Sequence, residues 1–423
     1  MSKTKNKKDM KKDQEKQAEK LEESVEKIDV KVEKGKESKI KPEEPKGKSD
    51  AVKHQDSNKA KNPFQNLFKE KPLLVIGLFL LVGAIISWIL ISAMAGEVKD
   101  IFSSGNPIAK IVNVNNSTEA VSLTRARLLD GRIVANENAS LLPVGVMIEN
   151  LPSVRPQSGL SRAQIVYEAL VEGFSTRFLV IFDPKEMPDK IGPVRSARPY
   201  YLEWISEYDG LYTHAGGSPE ALGAIQGLGL KDLDALRKGQ YFWRDNTESA
   251  PHNLFTSGEL LSFALRDMEL ESETAKFDLG TYSDDPDLNN RPEDAKKVII
   301  RFSGFNYEVE YQYDRDSDEY LRFNAGVEHK DRNNDQQIRA KNVIVVEIPP
   351  VVSIGEKGRL TFDIQGEGRA LVARHGEVIE GTWKKPDRTT KTRYYDATGE
   401  EIDLGRGSTW VHIIPSTQEY TYE

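Results

Sequence analysis

The residues best suited to chemistry gather around a Gly-Gly turn in the middle of the 423-residue sequence. Residues 214–220 read His-Ala-Gly-Gly-Ser-Pro-Glu, with Ser218 at the N-cap of a predicted helix and Pro219 at its first position. A helix N-terminus offers unpaired N–H groups and a positive dipole end, and Gly216 and Gly217 leave the backbone open to a ligand. The pattern predicts an anion-binding turn.

Basic residues on both sides of this turn extend the prediction. Arg177 opens an apolar run, and Arg195 and Arg198 stand in the string Gly-Pro-Val-Arg-Ser-Ala-Arg. Arg244 and His252 follow in Phe-Trp-Arg-Asp and Ala-Pro-His-Asn. Guanidinium groups beside apolar strands are costly unless they pair with acids or bind a ligand. We therefore predict a ligand-binding set made of Arg177, Arg195, Arg198, His214, Gly216, Gly217, Ser218, Arg244 and His252.

A structural explanation of the same residues stays open. Glu149, Glu168, Glu172 and Asp183 can neutralise these arginines inside the fold. The Gly-Gly-Ser-Pro segment then serves as a loop and a helix cap, and the histidine before it as a hydrogen-bonded core residue. The sequence alone does not separate this explanation from a ligand site.

An enzymatic role has less support in the sequence. It contains no G-x-S-x-G, HExxH, Walker A or G-x-G-x-x-G string. If the protein catalyses a reaction, His214 and His252 are the candidates for the general acid or base. Ser218 is a poor nucleophile candidate because the predicted helix cap uses its hydroxyl group.

The sequence predicts neither a metal site nor a cofactor. It has no cysteine, and none of its six histidines pairs with another at metal-ligand spacing. Residues 314–318 and 331–335 alternate Asp or Asn as in a calcium loop, but the glycine and the glutamate that an EF-hand requires are missing. We predict solvated turns there.

The elements that carry these residues follow a long apolar segment. Residues 1–71 are rich in lysine and glutamate and predict a disordered tail. Residues 72–96 are uncharged and long enough to span a membrane as a single helix. Lysines before the segment and acids after it place the N-terminus in the cytoplasm and residues 97–423 outside. A signal peptide is the alternative, since residues 93–95 read Ala-Met-Ala.

The part after the apolar segment divides into three. Residues 97–142 predict a stalk, residues 143–282 an α/β domain, and residues 295–415 a β-rich domain. The Pro-, Asn- and Asp-rich stretch 283–294 marks the boundary between the two domains. The net charge of the chain is −8, with a basic tail and an acidic remainder. An acidic body argues against nucleic acid as a partner, because that binding depends on neutralising phosphates.

Seven strings follow one another in the first half of the part after the apolar segment: Pro143-Val-Gly-Val-Met-Ile-Glu-Asn150, Arg155-Pro-Gln-Ser-Gly-Leu160, Ile165-Val-Tyr-Glu168, Glu172-Gly-Phe-Ser-Thr-Arg-Phe178, Gly192-Pro-Val-Arg-Ser-Ala-Arg198, His214-Ala-Gly-Gly-Ser-Pro219 and Ala250-Pro-His-Asn253. The second half adds Asn342-Val-Ile-Val-Val346, Gly366-Glu-Gly-Arg-Ala370, Gly381-Thr-Trp383 and Gly407-Ser-Thr-Trp410. Taken together, they resemble the strings of the YerB-type lipoprotein family. It is a bacterial extracytoplasmic family built around a two-part domain of unknown function. Its members are often lipid-anchored and have no established reaction, so the resemblance implies location and fold but no catalytic residues. This sequence has no cysteine to lipidate, and the predicted membrane helix would replace the lipid.

Together these observations predict a single-pass plasma-membrane protein with its folded domains outside the cell. The expected function is the binding of an anionic envelope ligand, such as peptidoglycan or an anionic wall polymer, or of another membrane protein. Two alternatives stay open: a hydrolase or transferase acting on wall polymers, and a purely structural protein–protein scaffold. The sequence favours binding over catalysis.

Overall fold

The computed structural model describes residues 124–355 and 357–423. The predicted tail 1–71, the predicted membrane segment 72–96 and the first part of the predicted stalk lie outside the described residues. Within the described ranges, no helix is both long and apolar enough to cross a membrane. The described residues all fall within one compact unit.

Strands dominate the structure, because short apolar runs alternate with turns rich in Gly, Pro, Asp and Asn. The first ten strands are β1 (Thr124–Ala126), β2 (Ile133–Ala135), β3 (Val144–Glu149), β4 (Ile165–Leu170), β5 (Thr176–Phe182), β6 (Leu211–His214), β7 (Asp232–Asp234), β8 (Trp243–Arg244), β9 (Leu254–Phe255) and β10 (Tyr282–Ser283). The others are β11 (Val298–Arg301), β12 (Glu308–Asp314), β13 (Glu319–Asn324), β14 (Val327–Glu328), β15 (Arg339–Ala340), β16 (Asn342–Ile348), β17 (Val352–Ile354), β18 (Arg359–Thr361), β19 (Gly366–Arg374), β20 (Glu377–Lys385), β21 (Arg393–Tyr395), β22 (Leu404–Gly405), β23 (Thr409–Pro415) and β24 (Glu419–Tyr422).

Three α-helices occur in the described residues: α1 (Pro199–Ser206), α2 (Pro219–Leu228) and α3 (Gly258–Asp267). Ser218 and Ser257 cap α2 and α3 by accepting a backbone N–H three residues further along. One-turn 3₁₀-helices connect other elements, at Asn136–Asn138, Pro152–Val154, Leu160–Arg162, Glu172–Phe174, Gly239–Tyr241, Leu288–Asn290 and Phe305–Tyr307. The cap predicted at Ser218 is therefore present.

A ten-stranded mixed sheet forms the centre of the fold, in the order β21-β20-β19-β16-β23-β4-β5-β3-β6-β7. Strand β23 pairs in parallel with β16 on one side and with β4 on the other. It thereby joins strands from both halves of the chain into one sheet. Strands buried on both faces are near-continuously apolar, as Val144–Glu149 and Thr176–Phe182 show.

Each face of this central sheet is covered by a different layer. On the first face lie α3 and a six-stranded antiparallel sheet, ordered β14-β13-β12-β11-β24 with β15 beside β13. On the second face lie α1 and α2. The alternation of side chains along β3 sends Val146 and Ile148 to the first face and Met147 to the second. Polar residues that alternate along the same strand therefore lie on opposite faces of the central sheet.

The architecture is β-rich and two-domain, and it differs in one respect from the sequence prediction. The three α-helices of the described residues lie within 143–282, as the α/β prediction requires. The central sheet, however, runs through both halves without a break. Parallel pairing between strands that are distant in sequence leaves no local signal, so the alternation of residues could not show it.

The carboxylate of Asp331 connects the two halves of the chain at residues 331–335, where the sequence predicts a solvated turn. Asp331 accepts hydrogen bonds from the backbone N–H groups of Gly159 (3.0 Å) and Ser161 (2.8 Å) and from the Ser161 hydroxyl (2.7 Å). Asp331 is fully buried. The aspartate is thus a structural acceptor, not a solvated turn residue.

Candidate anion-binding site

Three of the predicted arginines converge where β3 and β5 meet on the second face of the sheet. Glu149 and Arg177 are opposite each other in the register of these strands. The segment before α1 crosses this end of the sheet, held by a hydrogen bond from the Arg195 N–H to Met147 (2.9 Å). Arg177 donates from Nη1 to the carbonyl of Ser196 in the same segment (2.6 Å). We call Arg177, Arg195 and Arg198 the arginine cluster.

A buried carboxylate links this cluster to a histidine. Glu149 Oε2 lies 2.6 Å from Nδ1 of His252, and its Oε1 lies 3.1 Å from Nε of Arg195. The Glu149 side chain is 4% exposed, whereas the His252 side chain is 28% exposed. The carboxylate therefore fixes the ring through its inner nitrogen, and the outer nitrogen has no hydrogen-bond partner among the described residues.

Arg198 is held by Glu172 through two hydrogen bonds. Its Nε donates to Oε1 at 2.5 Å and its Nη2 to Oε2 at 2.9 Å, while Nη1 donates to the carbonyl of Ala197. Burial alone would raise the pKa of Glu172, but the paired guanidinium outweighs burial and the pKa lies below its usual value. This planar bidentate pair fixes the position of Arg198 at the edge of the cluster.

Arg177 has no such partner. It is 7% exposed, and among the described residues no carboxylate lies at ion-pair distance from it. Burial lowers its pKa, and the positive charges of Arg198 and Arg195 lower it further. A buried guanidinium beside two others, with a single hydrogen bond to a carbonyl, is costly without an anion. Arg177 is thus the strongest indication of a ligand.

A buried hydroxyl next to the cluster also lacks a partner. Tyr212 is fully buried, and its hydroxyl makes no hydrogen bond in the structure. Burial raises its pKa well above the usual value, and the charges of Arg177 and Arg198 act in the opposite direction. Buried polar groups without partners are uncommon and call for an explanation. An acceptor bound at the cluster would supply one.

The Gly-Gly turn contributes to the fold of the site more than to its binding capacity. The N–H of Gly216 donates to Asp234 (2.7 Å), and the Ser218 hydroxyl caps α2. Gly217 forms a bridge with Ala197 beside Arg198. The N–H groups predicted to receive an anion are therefore largely occupied, and the structure instead brings guanidinium groups to this edge.

Two other predicted residues lie apart from the cluster. His214 is fully buried, with Nδ1 2.7 Å from the carbonyl of Gly216 and Nε2 2.6 Å from Asp232. Both ring nitrogens are thus engaged, which fits a structural role. Arg244 donates to the Asn253 side chain at 2.6 Å and is exposed.

A second polar cluster lies on the first face of the central sheet and is fully buried. Arg322, from the six-stranded sheet, donates from Nη2 to Glu168 of β4 at 2.7 Å. Burial opposes ionisation of Glu168, but Arg322 and His412 hold its pKa at about 2. Arg322 also donates to Nδ1 of His329 and to the Tyr311 hydroxyl. We call these five residues the Glu168 network, and they connect the two halves of the chain.

The two histidines of the Glu168 network are held in the neutral form. His329 Nδ1 accepts from Arg322, so its Nε2 carries the hydrogen that is donated to Gln157 at 2.8 Å. Burial and the charge of Arg322 lower the pKa of His329 well below the usual value. Burial also lowers the pKa of His412, although Glu168 opposes this effect.

Three possible metal ligands come together elsewhere, at Asp285, Asp318 and His375. Lys341 already binds this group, with Nζ 2.5 Å from Asp318 and 2.7 Å from Asp285. His375 Nδ1 lies 2.7 Å from the same Asp318 carboxylate. The ammonium group supplies the positive charge that the acids require, so the cluster is an ion-pair network. This network could not be predicted from the sequence because its members are far apart in the chain.

Two family models match the chain, one in each half. Residues 129–271 match the model for the N-terminal domain described as "Protein of unknown function (DUF3048)", and residues 298–411 match that of its C-terminal domain. The chain is 34% identical over 279 residues to "Putative lipoprotein YerB" of Bacillus subtilis (strain 168), covering 64% of this chain and 81% of that protein. It is similar to the crystal structure of the YerB protein from Bacillus subtilis, with a TM-score of 0.63 and 30% identity, covering 70% of this chain and 98% of that one.

Proposed function

We propose that this chain, which belongs to the DUF3048 family and contains its two domains, binds an anionic ligand of the cell envelope through the arginine cluster. The observation that carries this proposal is Arg177, which is buried beside two other arginines and has no carboxylate partner among the described residues. A phosphate or carboxylate there would neutralise Arg177 and give the Tyr212 hydroxyl an acceptor.

The proposal includes the location of the protein. The uncharged segment 72–96 anchors the chain in the plasma membrane, with its N-terminus in the cytoplasm and the described domains outside. This location would bring the arginine cluster close to anionic wall polymers and peptidoglycan. The relative from Bacillus subtilis carries the description of a lipoprotein, which agrees with a membrane-attached envelope protein. The scaffold alternative predicts instead that the arginines can be replaced without loss of partner binding.

Replacing Arg177 with methionine should abolish anion binding and make the unliganded protein more stable. The expected gain in the free energy of unfolding is roughly 1–3 kcal/mol, because methionine removes an unpaired charge from a buried position and fills similar space. Thermal unfolding of the purified full-length chain would be measured with muropeptides, teichoic-acid fragments or inorganic phosphate. Ligand at about 100 times its Kd should stabilise the wild type by about 2.7 kcal/mol and R177M not at all.

Two further variants define the controls. The double variant R195A/R198A should also lose the ligand-dependent shift. R369A should keep it, because the Arg369 side chain is 67% exposed and its partner Glu347 lies on another part of the sheet. A shift of wild-type size in folded R177M would overturn the proposal, as would the absence of any shift in the wild type.

The pair of Glu149 and His252 favours a second function, the hydrolysis of a wall polymer. A buried carboxylate that orients an imidazole, with the outer nitrogen free, is the arrangement of a general base. His252 Nε2 would accept a proton from water as the water oxygen attacks the scissile bond, and would return the proton to the leaving group.

Replacing His252 with alanine separates this second function from binding. H252A should lose turnover of purified peptidoglycan or teichoic acid and keep the ligand-dependent thermal shift. E149Q should lower turnover less, because glutamine still bonds the ring without stabilising its positive charge. Release of soluble fragments, measured by chromatography, is the readout. Equal release by the wild type and H252A would reject hydrolysis at this pair.

A further inference from the structure

Exposed apolar side chains border the arginine cluster. Phe174 is 69% exposed and Leu236 is 75% exposed. Phe174 belongs to the same turn as Glu172, which holds Arg198. Leu236 lies over the Gly-Gly turn, since a Cβ atom added to Gly216 would come within 2.8 Å of its Cδ1. Large apolar groups next to a charged site indicate a surface that binds something partly apolar.

The backbone around Phe174 is strained. Gly173 and Phe174 have φ angles of +70° and +59°. A bulky residue other than glycine rarely adopts this left-handed conformation, and the strain persists only where the surroundings impose it. The hydroxyl of Ser303, from the other half of the chain, donates to the Phe174 carbonyl at 2.8 Å and fixes the turn. The fold thus holds an exposed phenylalanine two residues from Glu172, the partner of Arg198.

Leu236 and Leu222 both approach the Gly-Gly turn. A Cβ atom at Gly217 would lie 3.2 Å from a methyl carbon of Leu222, which is 37% exposed. The two glycines therefore allow two leucines to approach the edge of the cluster. A free inorganic phosphate or a polysaccharide phosphate has no apolar part to contact these side chains. We call Phe174, Leu222 and Leu236 the apolar border.

We propose that the anion bound by the arginine cluster is the phosphate of a lipid phosphate, whose hydrocarbon chain lies against the apolar border. This inference rests on the proposed function and specifies its ligand class. The phosphate neutralises Arg177 and is bound by Arg195 and Arg198, while the chain covers Phe174 and Leu236. Charge complementarity selects the head group, and the burial of hydrocarbon adds affinity in proportion to the area covered.

The test compares two phosphate monoesters that differ only in their chains. Methyl phosphate and n-hexyl phosphate, below its micellar concentration, would be titrated calorimetrically into the full-length chain held in amphipol, with inorganic phosphate as a third ligand. Hexyl phosphate should bind at least about tenfold more tightly than methyl phosphate, equivalent to about 1.4 kcal/mol. The variant F174S/L236S should reduce this ratio to near one without changing the affinity for methyl phosphate.

The controls separate this inference from the function on which it rests. I133S/L288S replaces two exposed apolar residues outside the apolar border and should keep the tenfold ratio. Equal binding of methyl and hexyl phosphate overturns the lipid inference and leaves anion binding intact. If none of the phosphates binds to the wild type, so that its titrations match those of R177M, the proposed function is overturned. If F174S/L236S abolishes self-association in sedimentation and leaves the ratio unchanged, the border is a contact between copies and the inference fails.

Discussion

Replacing Arg322 with methionine should lower the free energy of unfolding by about 3–5 kcal/mol. Arg322 and Glu168 form an ion pair in which both side chains are fully buried. Without the guanidinium, the carboxylate keeps only the hydroxyl of Thr176 and the amide of Asn150 as close donors, with His412 at 3.2 Å. Removing one member of a buried ion pair leaves an uncompensated charge, which is costlier than losing the pair as a whole.

Tryptophan fluorescence can follow this experiment, because Trp410 lies 4.7 Å from the Arg322 guanidinium. Urea unfolding of the full-length R322M variant would give its free energy of unfolding. The double variant E168Q/R322M removes both charges and should recover a large part of the loss. A value for R322M within about 1 kcal/mol of the wild type, well below the cost of breaking a buried pair, would show that the pair does not join the two halves.

Lowering the pH from 7.5 to 5.5 should destabilise the protein through His329 and His412. In the folded state, burial lowers the pKa values of both below the ordinary value of 6.5. The unfolded chain therefore binds more protons, and stability falls as the pH drops below about 6.5. Each histidine contributes a slope of up to about 1.4 kcal/mol per pH unit until its folded-state pKa is reached.

Glu168 adds a second limb to the curve of stability against pH, at lower pH than the limb caused by the histidines. Its folded-state pKa of about 2 lies below the ordinary value of 4.5, so the stability it contributes is present above pH 4.5 and is lost as the pH falls towards 2. Chemical unfolding at half-unit pH intervals would resolve both limbs. In H412Q, the limb between pH 7.5 and 5.5 should become shallower while the lower limb remains. If the free energy of unfolding of the wild type does not change between pH 7.5 and 5.5, the lowered pKa values of the two histidines are contradicted.

The sequence singled out the members of the arginine cluster because each stands in a recognisable local pattern. The Gly-Pro-Val-Arg-Ser-Ala-Arg string held Arg195 and Arg198 close together, and Arg177 marked the start of a buried strand. Glu149 and Glu172 were considered as possible acid partners, and the structure pairs them with Arg195 and Arg198. Local patterns identified these residues, and the paired strands β3 and β5 together with one crossing segment bring them together.

The Glu168 network could not be predicted in the same way. Glu168 was considered as a partner for the nearby arginines, whereas its actual partner is Arg322, 154 residues further along the chain. Arg322 occupies an inward position of an alternating strand, where a charged residue suggests solvent or an edge unless its partner is known. The pairing depends on how two sheets stack, and the residue pattern of one strand carries no information about that.

The central position of β23 determines how the molecule can reach its folded state. The strand that completes the middle of the sheet, Thr409–Pro415, pairs with β4 at Ile165 and its neighbours. Until it is in place, β4 and β16 each present an unpaired, apolar edge, which is an aggregation hazard. Contacts this distant in sequence form slowly. The N-terminal half therefore cannot mature as a separate unit during synthesis, and a protein that folds in this order needs its early strands shielded until nearly the whole chain has emerged.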